Sequence, residues 1–156
     1  VPGLIAHRVN ESTGSNMAGW YGSHGIYRSE ELGGLSLTRF CQAVSAEGVL
    51  GVGAGCNKAL HTHPVFNEAD IYGQGSPTRI ANSDRDLRQP RGSLPVAERI
   101  GHEVYHIPWF KHDRPEVIRE YADAFRKVVE HAEELRADDP GDKSDLGGWN
   151  FFKSTK

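Results

Sequence analysis

The segment Ser93–Leu135 constrains the fold more than any other part of this chain. Its second half places apolar residues at Ile118, Tyr121, Ala122, Phe125, Val128, Val129, Ala132 and Leu135. That spacing keeps returning to one side of a 3.6-residue helix, so it predicts a long amphipathic helix running to about Ala137. Asp113 and Glu116 form a capping-box-like pair at its start, and Pro115 sits in the first turn, where a missing N–H costs nothing. A helix with one apolar stripe must cover something, and the rest of the chain has to supply that surface.

In the first half of the segment, Ser93 reads as the cap of a helix with Pro95 in its first turn and Val96, Ala97, Ile100 and Val104 as its apolar positions. Pro108 forbids that helix from continuing, and Tyr105 to Phe110 reads as a buried strand. Upstream, Trp20 to Tyr27 reads as a strand weakened by Gly22 and Gly25, followed by a turn from Ser29 to Leu35. Ser36 caps a helix through about Glu47, with Leu37, Phe40, Ala43 and Val44 at helical spacing. Gly48 falls where a helix end takes a left-handed residue, and Val49 to Gly53 reads as a short strand. Gly55 to Gly92 is a long irregular loop, a feature that is usually functional or placed against another surface. The expectation is a small α/β domain of the α+β type over residues 18–137. It has a short, mostly antiparallel sheet with helices on one face, a connector at 1–17 and a polar tail at 138–156, where Trp149, Phe151 and Phe152 suggest docking.

Size and composition narrow the function classes. A chain of 156 residues suits one domain with its own core. No apolar run approaches the roughly 20 residues of a membrane span, and no basic stretch followed by an apolar one opens the chain as a signal peptide would. The formal net charge of −3 argues against a nucleic-acid binder. Two cysteines, Cys41 and Cys56, are too few for a disulfide framework and suit a cytoplasmic location.

Several motifs carry possible chemistry. His102-Glu103-Val104-Tyr105-His106 has the H-E-x-x-H spelling of a zinc protease. That motif works by placing two histidines on one helix face around zinc, with the glutamate as general base. Here Pro108 ends the helix at about His106, so the spelling lacks the continuous helix it needs. His61-Thr62-His63 could hold a metal from a loop, but no third ligand stands nearby in sequence. Cys41 falls on the apolar side of a predicted helix and reads as a small core residue. Cys56, near His61 and His63, raises a Cys–His pair only weakly. Gly51 to Gly55 has the glycine content of a phosphate-binding loop without its spacing.

The order of elements then resembles a family. GWYGSHGIYRSEELGGLSLTRFCQAVSAEGV, NKALHTHPVF and SLPVAERIGHEVYHIPWF, followed by the long helix, are similar to the C-terminal portion of the DegT/DnrJ/EryC1/StrS aminotransferases, over about Gly19 to Leu135. The specific marks are the L-H element (Leu60-His61), the L-P-V-A-E-R element (Leu94 to Arg99) and the closing strand with Pro108. The resemblance implies a fold-type-I, pyridoxal 5'-phosphate-dependent enzyme that works as a homodimer. Such enzymes transfer an amino group to a keto-sugar or cyclitol, and some relatives remove a hydroxyl instead. It also implies a larger N-terminal domain that holds the cofactor and its Schiff-base lysine. Nothing here matches that domain, so the expectation is a small C-terminal domain that is not catalytic alone. On this reading His61 lies on the substrate side, with Asn57 and His63 as further substrate-binding candidates and Tyr27 and Arg28 behind them. No catalytic, cofactor-binding or metal-ligating residue is expected in this chain. The rivals are a zinc hydrolase built on His102, Glu103 and His106, and a non-catalytic interaction module.

Overall fold

A computed structural model of the chain describes residues 1–16, 21–73, 85–86, 88–143 and 146. Trp20, Trp149, Phe151, Phe152 and part of the long loop lie outside the described residues. The fold is mixed α/β, with a four-stranded antiparallel sheet. Strands β1 (Leu4–Ala6), β2 (His24–Tyr27), β3 (Gly53–Ala54) and β4 (Val104–His106) lie in the order β1-β2-β4-β3. The register sets Ile5 opposite Ile26, Gly25 opposite Tyr105 and Gly53 opposite His106.

Five helices accompany the sheet among the described residues: α1 (Leu37–Ala46), α2 (Pro64–Asn67), α3 (Pro95–Arg99), α4 (Pro115–Glu130) and α5 (Ala132–Arg136). Side chains alternate across a strand, so Gly25 and Tyr27 of β2 and Tyr105 of β4 turn to the same face. Helices α1, α4 and α5 meet that face. Tyr27, Phe40, Tyr105 and Phe125 interlock there, with ring centroids 5.0 to 6.0 Å apart. Tilted and edge-on rings at these distances add to simple burial. The Tyr27 hydroxyl donates to the Leu35 carbonyl at 2.9 Å, so its polar end is satisfied inside the core. Gly25 leaves room for the facing Tyr105 ring: a methyl at Gly25 would lie 2.2 Å from that ring.

Sequence and structure differ at several elements. Residues 1–17 are not a plain connector. Leu4–Ala6 adds an edge strand, and the Gly3 amide donates to the Glu31 carboxylate at 2.8 Å. The strand expected at Val49–Gly53 forms only at Gly53–Ala54, because Val49 is fully buried behind the end of α1. Val104 belongs to β4 rather than to the helix before it. Neither Ser93 nor Asp113 caps a helix through its side chain; α3 starts from Leu94 and α4 from Arg114. The long terminal helix breaks at His131, between α4 and α5. Its buried stripe is Ala124, Val128 and Ala132, while Ile118 and Ala122 are exposed.

The tail after Ala137 is neither loose nor merely a solvated helix end where it is described. Asp139 accepts from the Ser36 amide at 2.7 Å and from the Ser36 hydroxyl at 2.6 Å. Asp142 accepts from the amides of Leu37 at 3.1 Å and Thr38 at 2.8 Å. The Ser36 hydroxyl in turn receives the Arg39 amide. The N–H groups that a helix start leaves without partners are therefore all taken, three of them by two distant carboxylates.

Candidate functional site

His61 sits in a 3-10 turn, Leu60–Thr62, directly before α2. Its side chain is 4% exposed, which is unusual for a polar residue and demands a partner. That partner is Glu98, on α3, whose Oε1 lies 2.9 Å from His61 Nε2. Glu98 is itself fixed by the amides of Gly92, at 2.8 and 2.9 Å, and Leu94, at 3.3 Å. Those backbone bonds, chiefly the one from Gly92, together with the one to His61 hold the Glu98 carboxyl below its ordinary range. From the other side, Asn67 Nδ2 donates to the carbonyls of His61 at 2.7 Å and His63 at 3.0 Å. The turn is thus clamped by one amide side chain and one carboxylate.

His61 lines a cavity of about 690 Å³ whose other walls include Leu60, Val65, Phe66, Ile71 and Leu94. Several of these are strongly exposed: Leu60 at 63% and Ile71 at 68%. An apolar hollow with one fixed polar group is a common form of ligand or partner site. Glu98 also borders a much smaller cleft of about 30 Å³, together with Asn57 and Lys58. The three expected substrate residues therefore separate. His61 faces the large cavity, Asn57 is exposed beside the small cleft, and His63 is half-buried at the start of α2, outside the large cavity's lining. Tyr27 belongs to the core, and Arg28 pairs with Glu103 at 3.8 Å.

The H-E-x-x-H segment does not form its helix. His102 ends a 3-10 turn, Glu103 follows it, and His106 lies on β4. Glu103 is engaged by Arg99 at 2.8 Å as well as by Arg28. Among the described residues, no three of His, Cys, Asp and Glu gather as a metal-binding group. The thiols are not activated either. Burial pushes Cys41 up to about 12 and raises Cys56, whose Sγ donates to the Asn57 carbonyl.

A Schiff-base lysine needs a desolvated pocket with partners for a phosphate. Lys127 is paired with Glu47 at 2.7 Å on the protein surface. Lys111 and Lys143 are exposed, and Lys58 borders the small cleft. The described lysines of this chain therefore do not fit a pyridoxal-phosphate site.

Glu98 is the site residue that sequence reasoning missed. Its signal was present, since it lies within the L-P-V-A-E-R element, but nothing local says that its carboxylate reaches back 37 residues to His61. No protein-family model, no curated protein and no solved structure significantly matches this chain. No helix among the described residues is long and apolar enough to cross a membrane.

Proposed function

We propose that this chain is the small C-terminal domain of a pyridoxal-phosphate-dependent aminotransferase acting on a keto-sugar or cyclitol. One observation carries the reading. Two of the specific marks of the resemblance, the L-H element and the L-P-V-A-E-R element, meet through the His61–Glu98 hydrogen bond beside an open cavity. Two short elements far apart in sequence are joined by this bond, in which the Glu98 carboxylate satisfies the buried His61 ring and holds the turn and α3 together.

His61 is the substrate-side residue in this proposal. Glu98 fixes the ring and leaves its other nitrogen as the polar group to meet a sugar hydroxyl or phosphate. The apolar walls suit the C–H face of a cyclic substrate, or the surface of a large cofactor domain closing over the cavity. The cofactor belongs to that domain, outside this chain, and no chemical step is assigned to these residues through it. The exposed Leu60, Val65 and Ile71 around the same cavity also favour a second copy or a partner domain as cover. That keeps the interaction-module reading as the alternative.

The test has two parts. The reading frame upstream of the Val1 codon should encode a domain with a lysine in a cofactor-binding context. In the intact enzyme, His61→Ala should lower kcat/KM for the natural keto-substrate about tenfold or more, the worth of one hydrogen bond to a charged or polar ligand group. Cofactor absorbance should stay unchanged. An unaltered kcat/KM removes His61 from the site; an upstream stop codon without such a domain removes the aminotransferase reading.

A further inference from the structure

A second hollow, of about 770 Å³, includes His106 of β4 in its lining and, among the described residues, shares no lining residue with the His61 cavity. Its walls hold His24, His106, Lys111, His112 and Arg114, and among the described residues no aspartate or glutamate lines it. In a chain whose net charge is −3, an acid-free hollow with this many cationic or protonatable groups is a marked segregation of charge.

The same hollow gathers aromatic rings, of which Tyr121 also packs against the core. Tyr21 is 95% exposed and Trp109 62% exposed, and their rings meet edge-on at 6.0 Å. Phe110 and Tyr121, in the same lining, pair at 5.5 Å. Exposed tryptophan and tyrosine faces of this kind are binding surfaces for flat rings. At the strand level, His24 and His106 are cross-strand partners with ring centroids 4.6 Å apart. Partial burial, and secondarily His24 against it, hold His106 below the ordinary histidine range. At neutral pH that ring is therefore an uncharged hydrogen-bonding group in the lining of the hollow, while the fixed positive charge there comes from Lys111 and Arg114.

The geometry points to this hollow as a binding site for a planar aromatic ring that carries a phosphate or a carboxylate. The ring stacks against Trp109 and Tyr21, and the anion meets the Lys111 ammonium and the Arg114 guanidinium, whose fork matches either oxyanion. Its volume lies within the usual range for a small-molecule site. The inference rests on residues separate from His61 and stands or falls independently of the aminotransferase reading.

Calorimetric titration of the 156-residue chain at pH 7 and low salt tests it, with phenyl phosphate, benzoate, inorganic phosphate and phenol as probes. At least one aromatic anion should bind about tenfold tighter than both inorganic phosphate and phenol, since it alone offers both halves. Preference for phenyl phosphate over benzoate, or the reverse, identifies the anion. Lys111→Gln combined with Arg114→Gln should weaken the better probe about tenfold, and Trp109→Ala should weaken it several-fold. All three side chains are exposed, so circular dichroism should be unaltered. Arg119→Gln, on an exposed part of α4 outside the hollow, is the control and should bind as the parent does. The proposal is overturned if no aromatic anion outbinds its separate halves, or if the double variant binds as tightly as the parent.

Discussion

Removing the carboxylates that cap α1 should expose how much of this fold depends on residues after the last helix. Asp139 and Asp142 together accept four hydrogen bonds from Ser36, Leu37 and Thr38. Ser36 is 5% exposed, so loss of Asp139 strands a nearly buried amide, which costs about 1–3 kcal/mol when no water replaces the partner. Asp139 is itself only half-buried, and water can follow its removal, which argues for the low end: about 1–2 kcal/mol for Asp139→Ala. Asp142 is exposed and its two bonds go to the first turn, so Asp142→Ala should cost about 1 kcal/mol, including its interaction with the helix dipole. The two share one helix end and will couple, which puts the double variant at about 2–3 kcal/mol. For a chain of 156 residues that is a fall in Tm of roughly 4–10 °C. Urea unfolding followed by circular dichroism should show a lower midpoint with an unchanged slope. Acid should act in the same direction. Burial raises the Asp139 pKa, but its bonds to Ser36 and Gly141 outweigh that and leave it lowered. A carboxylate with a lowered folded pKa contributes its stability above the ordinary aspartate range and loses it as pH falls through the folded value. The double variant should therefore be less acid-sensitive than the parent. A double variant within about 0.5 kcal/mol of the parent would refute the reasoning, because α1 would then be capped equally well by water.

Two further outcomes follow from the sheet and the site. Gly25→Ala drives a methyl into the Tyr105 ring, which is buried among Phe40 and Phe125 and has nowhere to retreat. It should destabilise by about 3 kcal/mol, read as a fall in thermal midpoint with near-ultraviolet dichroism altered; a midpoint equal to the parent's would mean that β2 and β4 can shift apart. Glu98→Ala removes the acceptor for His61 and for the amides of Gly92 and Leu94, and hydrogen exchange at those two amides should accelerate while core amides of α1 keep their protection. Unchanged exchange there would show that the loop is held by something other than this carboxylate.

The parts legible in the sequence were those with local causes. Helix α1 was readable because Ser36 caps it, Leu37, Phe40 and Val44 repeat at helical spacing, and Gly48 takes a left-handed φ of 95° just after it. Pro108 marked where the helix before β4 has to end, although the strand is Val104–His106 and not the expected Tyr105–Phe110. The two-layer arrangement followed from the single apolar stripe of α4. What escaped were pairings made at a distance. Leu4–Ala6 has no alternation of its own and becomes a strand only because β2 presents an open edge. Asp139 and Asp142 look like a solvated tail until α1, more than 100 residues earlier, is folded against them. The break at His131 lies inside an unbroken apolar periodicity and carries no proline or glycine to mark it. At the site, nothing in the L-H element announces that His61 is buried against Glu98, and the dispersal of Asn57 and His63 follows from how the turn before α2 is clamped by Asn67.

The strand order has a consequence for how this chain matures and diversifies. The sheet places β4 between β2 and β3, so its two halves join only after residue 104 has left the ribosome. Until then β2 and β3 each show an unpaired edge, and folding has to close the span from Ala54 to Val104 before the sheet gains anything from it. That closure cost grows only logarithmically, with a doubling of the span adding about 0.6 kcal/mol. The loop that carries His61 can therefore lengthen, shorten or change sequence between descendants at almost no expense to the sheet, which makes it the natural place for selectivity to evolve while Tyr27, Tyr105 and Phe40 stay as they are.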